Sequence, residues 1–93
     1  MHLSDTAEIV VSKEQVSSDL GGEAAILNLK NGVYYGLDSV GARVWDLIQQ
    51  PRTLAGLRDI LAGEYEVEAS RLESDLRDLL TQLADQHLVE ISG

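Results

Sequence analysis

Glu23-Ala24-Ala25-Ile26-Leu27-Asn28-Leu29, Lys30-Asn31-Gly32 and Val33-Tyr34-Tyr35-Gly36-Leu37-Asp38 follow one another in the chain. Two apolar runs joined by Asn-Gly are a strong hairpin signal, because both turn residues tolerate positive φ. The spacing predicts strands over about 23–29 and 33–38. Period-2 alternation then puts Val33, Tyr35 and Leu37 on one face of the second strand and Tyr34, Gly36 and Asp38 on the other.

Upstream, Glu8-Ile9-Val10-Val11-Ser12-Lys13 is rich in β-branched residues and predicts a strand over about 8–13, while Gln15 to Gly22 reads as a polar, Gly-containing loop. Downstream the period changes. Val40, Val44, Trp45 and Ile48 recur at helical spacing over about 40–49, with Asp38 or Ser39 as the cap and Pro51 beyond the end. Thr53 caps a shorter helix over about 54–62, whose stripe is Leu54, Leu57, Ile60 and Leu61 and whose stop is Gly63.

The longest periodic run, Leu72, Leu76, Leu79, Leu80 and Leu83, predicts a third helix over about 68–86, and Leu88 to Ile91 alternates as a short terminal strand. The expected architecture is therefore α+β: a three-stranded antiparallel meander followed by three helices, the last two resembling a winged helix-turn-helix. Residues 1–93 form one domain's worth of chain.

Composition narrows the chemistry. Sixteen Asp and Glu against seven Lys and Arg give a formal charge of -9, which repels phosphate backbones and anionic lipid. That charge attracts a basic peptide or protein face, or serves only solubility. A DNA-reading third helix would need basic residues, yet Arg71 and Arg77 are outnumbered by Glu68, Glu73, Asp75, Asp78 and Asp85. No Cys is present, so disulfides, thiolate metal sites and cysteine nucleophiles are excluded. The start of the chain has no signal-peptide pattern and no apolar run approaches the ~20 residues of a membrane span, so a cytoplasmic protein without a membrane partner is expected.

Catalytic and cofactor patterns are weak. His2 and His87 lack metal-ligand spacing, and Glu64, Glu66 and Glu68 lack the Asp, Asn and Gly pattern of a calcium loop. The glycines do not have phosphate-cradling spacing. Asp75 and Asp78 sit one turn apart in the manner of an exposed helix face rather than an acid-base pair. Neither a metal nor another cofactor is expected. Gly36-Leu37-Asp38-Ser39-Val40 looks like the site at which acyl or peptidyl carrier proteins carry phosphopantetheine, here on Ser39. The strands predicted ahead of it favour a helix cap instead.

Asn31 to Asp38, followed by Gly41 and Val44-Trp45-Asp46-Leu47-Ile48, resembles the PqqD-like family of precursor-peptide recognition elements. The resemblance spans nearly the whole chain and is most like the stand-alone version in lasso-peptide biosynthesis. It implies a non-catalytic protein that binds the leader of a ribosomally made peptide, with a transglutaminase-like leader protease and a cyclase as further partners. The resemblance implies binding by strand addition, and the third strand of a meander is an edge with free backbone groups. The expected contact residues are Val33, Tyr34, Tyr35, Gly36, Leu37 and Asp38 on the strand. On the third helix they are Leu72, Asp75, Leu76, Asp78, Leu79 and Leu83, which would line a groove beside that strand.

Overall fold

The computed structural model describes residues 3–92; His2 lies outside them. The hairpin forms where Asn-Gly places it. Gly32 takes φ +70°, and Asn31 Oδ1 accepts from the Val33 N–H at 2.9 Å, so the turn is held by its own side chain. It joins β3 (Ala24–Asn28) to β4 (Tyr34–Leu37) in antiparallel register, with Ile26 opposite Tyr35 and Leu27 opposite Tyr34.

The α+β class, with an antiparallel meander ahead of three helices, is what the chain adopts, but the meander has a different first strand. Gln15–Asp19, expected as loop, is β2 and pairs along its full length with β3. Its serines are poor strand formers, and pairing with an apolar neighbour overrides that preference. The first strand, β1 (Glu8–Val11), instead belongs to a second sheet, between β5 (Arg52–Thr53) and the terminal β6 (Val89–Ser92). One sheet thus has the order β2-β3-β4 and the other β5-β1-β6.

Helix α1 (Ser39–Leu47) is capped by Asp38, whose Oδ1 accepts from the Gly41 N–H at 2.8 Å; Ser39 is the first helical residue, not the cap. A Cβ on Gly41 would stand 3.2 Å from Leu37 Cδ2, so the glycine lets the helix start close against the end of β4. The segment before Ser39 is strand, unlike the helix that precedes the modified Ser of a carrier domain.

Helix α2 (Leu54–Glu64) is capped by Thr53 and runs past Gly63 to a C-cap at Tyr65. Helix α3 (Ala69–Asp85) ends in a Schellman motif: the Leu88 N–H bonds Leu83 O and the His87 N–H bonds Ala84 O, with His87 at φ 59°. Ile9, Ile26, Ile48, Leu54, Leu80 and Leu83 are fully buried, so both sheets and all three helices share one apolar core. Buried Asn28 is satisfied by donating to Gln86 O and accepting from the Lys30 N–H, which ties β3 to the end of α3.

The start of the chain is clipped to the helices. Glu73 accepts from both Arg58 and Arg77, these arginines also contact Asp5, and Arg77 donates to Leu3 O.

Candidate functional site

The phase of the β3–β4 ladder decides what the edge offers. The Asn28 N–H donates to Val33 O at 3.0 Å, and in an antiparallel pair such contacts recur at every second residue. Val33 therefore turns its C=O, and Tyr35 and Leu37 both backbone groups, toward β3. Tyr34 and Gly36 turn their N–H and C=O outward, away from the sheet, and β4 is at the end of its sheet among the described residues. No sheet hydrogen bond is lost if these two N–H groups are used elsewhere.

Side chains follow the same alternation. Tyr35 and Leu37, opposite buried Ile26 and Ala24, face the helices; Tyr34 and Gly36 face away, and Tyr34 is 70% exposed. Tyr35 donates its hydroxyl to Gln82 Oε1 at 2.6 Å, bridging the strand to α3. Leu37 is buried in the core.

A groove with a volume of about 180 Å³ includes Val40, three residues beyond the end of β4. Its floor is Leu72 and Leu76 of α3 with Val44 of α1, all buried. Half-buried Leu79 and exposed Val40 and Val67 form its walls, and the end of α2 closes it with Leu61 and Tyr65. Asp75 stands at the rim with an exposed side chain, 3.9 Å from Arg71.

The groove is therefore between α1 and α3, not between β4 and α3 as expected. Val33, Tyr35 and Leu37 do not line it, because Tyr35 bridges to α3 and Leu37 fills the core. Leu83 is fully buried and belongs to the core. Asp38 is occupied as a helix cap, and exposed Asp78 lies outside the lining. Leu72, Asp75, Leu76 and Leu79 do come together there. Val40, Val44, Leu61, Tyr65 and Val67 were not singled out as contact residues, since helical spacing is the same for a groove wall and for core.

An ion pair ties α1 to the end of α2. Arg43 of α1 donates to both carboxylate oxygens of Glu64 at 2.9 and 2.7 Å and to Asp46 at 2.8 Å. The hydrogen bonds from Arg43 hold the Glu64 carboxyl below its ordinary range, and those from Glu64 hold the Arg43 guanidinium above its own. Glu64 is thus engaged by a cation of the chain. Among the described residues no group of three or more His, Asp or Glu is placed to hold a metal ion, and no helix is long and apolar enough to cross a membrane.

Exposed backbone donors and acceptors, continued by an apolar groove with an acidic rim, suit an extended peptide: the backbone gives general affinity and the groove selects a side chain. Residues 23–89 match the family described as coenzyme PQQ synthesis protein D (PqqD). Among solved structures the chain is similar to "TbiB1 in Complex with the TbiA(beta) Leader Peptide", at 37% identity and a TM-score of 0.82, over 87% of this chain and 94% of that one. It also shares the fold of "Lasso peptide synthetase B1 complexed with the leader peptide", at 22% identity and a TM-score of 0.78, over 88% of this chain and 96% of that one. No curated protein matches.

Proposed function

The chain belongs to the PqqD family, and on that premise we propose that it binds the leader segment of a ribosomally made precursor peptide and presents it to maturation enzymes, without itself catalysing a reaction. The leader adds as a strand along Tyr34 to Gly36, pairing with their outward N–H and C=O groups. Carried on past Asp38, it reaches the groove at Val40, where an apolar side chain settles against Leu72, Leu76 and Leu79. Asp75 at the rim and Asp78 beside it attract basic leader residues, each exposed contact adding about 0.2–1 kcal/mol.

The observation that carries this reading is the outward phase of Tyr34 and Gly36 on the β4 edge, with the groove residue Val40 following three positions after that strand ends. It is supported by the 37% identity to a protein solved with a leader peptide. Lasso-peptide maturation is the pathway we assign, with a transglutaminase-like leader protease and a cyclase as the enzymes served in the cytoplasm. Fluorescence polarisation of a labelled leader tests it: saturable binding that fails for a scrambled leader is expected, and equal affinity for both peptides overturns the reading.

A further inference from the structure

The sheet that carries the β4 edge has a second edge at β2. Just beyond the two ends of β2, the Leu29 N–H donates to Glu14 O at 3.1 Å and the Leu20 N–H to Glu23 O at 2.8 Å. Such contacts recur at every second residue, so Val16 and Ser18 turn their backbone groups toward β3 while Ser17 and Asp19 turn theirs outward. β2 stands at the end of its sheet among the described residues, and no Pro, Lys or bulge blunts it.

The side chains of Ser17 and Asp19 lie on the same face as buried Ile26 and Ala24, their register partners, and so point toward the helices. There they line a cleft of about 660 Å³ whose opposite wall is α1. Trp45 of that wall is 4% exposed, and its indole N–H is buried with no hydrogen-bond partner among the described residues. A buried donor of this kind is rare, and a carbonyl oxygen seated at the indole edge satisfies it. The cleft is also acidic. Asp19, Glu23 and Asp46 set three carboxylates against the single guanidinium of Arg43, which is already engaged by Glu64 and Asp46.

These features choose the occupant. Outward N–H and C=O groups call for an extended backbone, the indole for a carbonyl oxygen, and the carboxylates for Lys or Arg. A second copy of this chain does not suit the cleft. Pairing β2 with itself would bring two such acidic clefts together on chains that each carry a formal charge of -9. A peptide already held in the groove does suit it. Groove and cleft lie on either side of α1, Val40 and Val44 facing one and Ala42 and Trp45 the other, and Tyr65 lines both. A helix is roughly 10–12 Å across, a distance that three or four extended residues span.

We propose that the cleft between β2 and α1 is a second peptide site, which takes a basic segment of the same precursor a few residues away from the one in the groove. The proposal rests on the leader-binding reading above. It makes the precursor straddle α1, with one segment on the β4 edge and in the groove and the other along β2.

The test compares two labelled peptides on the whole chain by fluorescence polarisation: the full precursor, and the shortest fragment of it whose binding Gly36→Pro abolishes. The full precursor is expected to bind wild type at least about tenfold more tightly than the fragment. Ser17→Pro, which removes an outward N–H, should erase that advantage and leave fragment affinity unchanged. Glu23→Lys, which alters no sheet hydrogen bond, should cut it severalfold, and rising salt should do the same. Trp45, the only Trp of the chain, reports independently: its emission should change with the full precursor and not with the fragment, because Trp45 is outside the groove lining. If Ser17→Pro unfolds, Glu23→Lys decides. Equal affinity of both peptides for wild type, with Trp45 emission unchanged, overturns the proposal and leaves leader binding in place. An advantage that survives Glu23→Lys undiminished also overturns it. A wild-type dimer in sedimentation that Ser17→Pro dissociates overturns it in favour of a second copy. Failure of the full precursor to bind wild type would instead refute the leader-binding reading, and this proposal with it.

Discussion

The hydroxyl of Tyr35 donates to Gln82 Oε1 at 2.6 Å, joining β4 to α3 across 47 positions of sequence. Tyr34, one residue earlier, turns its side chain to the opposite face and its backbone outward. The bond thus fixes the stance of the edge strand without using any group the edge offers to a peptide.

Removing that hydroxyl tests the bracing role. Tyr35→Phe is expected to cost about 0.5–1.5 kcal/mol of stability and to weaken leader affinity only a few-fold. Chemical denaturation and fluorescence polarisation on the same sample measure both. Loss of all leader binding from a folded Tyr35→Phe would mean that the hydroxyl contacts the peptide directly.

The groove assignment separates two kinds of leucine on α3. Leu79→Asp, half-buried at the wall, is expected to weaken leader binding at least about tenfold with circular dichroism unchanged. Leu83→Ala, fully buried, is expected to cost about 2–5 kcal/mol of stability, with little change in the affinity of the protein that remains folded. Leu76 is too deeply buried for a charged substitution to report on the groove alone.

Acid should weaken the fold through Glu64 and Glu73. Hydrogen bonds from Arg43 hold Glu64 below its ordinary value of 4.5, and those from Arg77 and then Arg58 do the same for Glu73. A carboxylate held low in the folded state binds its proton first when unfolded, so its stabilising contribution is present above pH 4.5 and lost as pH falls below it. Thermal melts from pH 7 to 3 should therefore show a falling Tm, with a shallower fall in Glu73→Gln. An equally steep fall in that variant would place the effect elsewhere.

His87 occupies the left-handed position of the Schellman motif at φ 59°. Glycine takes that conformation without a Cβ penalty, so His87→Gly is expected to stabilise by about 0.5–1 kcal/mol and to raise Tm by several degrees. Leader affinity, measured alongside, should not change, because His87 lies outside the groove lining.

Local chemistry made part of this molecule legible. Asn31 and Gly32 set their own turn, Thr53 its own cap, and the leucine period of α3 its own helix, since each signal lies within a few residues of its effect. Pairing between distant segments left no such mark. Glu8–Val11 meets Val89–Ser92 at the other end of the chain, and Gln15–Asp19 becomes strand only because β3 lies beside it. The edge strand was legible for the same local reason, and Leu72, Leu76 and Leu79 line the groove while Leu83, at the same period, is core. The groove was displaced because Val40 and Val44 have the spacing of core residues, and only the assembled fold shows that they face α3 across open space.

Strand addition through the outward N–H groups of β4 is tested most directly at Gly36, where a Cβ would meet nothing within 4 Å. Fluorescence polarisation of labelled leader should give wild-type affinity for Gly36→Ala, which keeps the N–H, and a loss of about tenfold or more for Gly36→Pro, which removes it without breaking the β3–β4 ladder. Wild-type affinity in a folded Gly36→Pro protein would contradict strand addition at this edge.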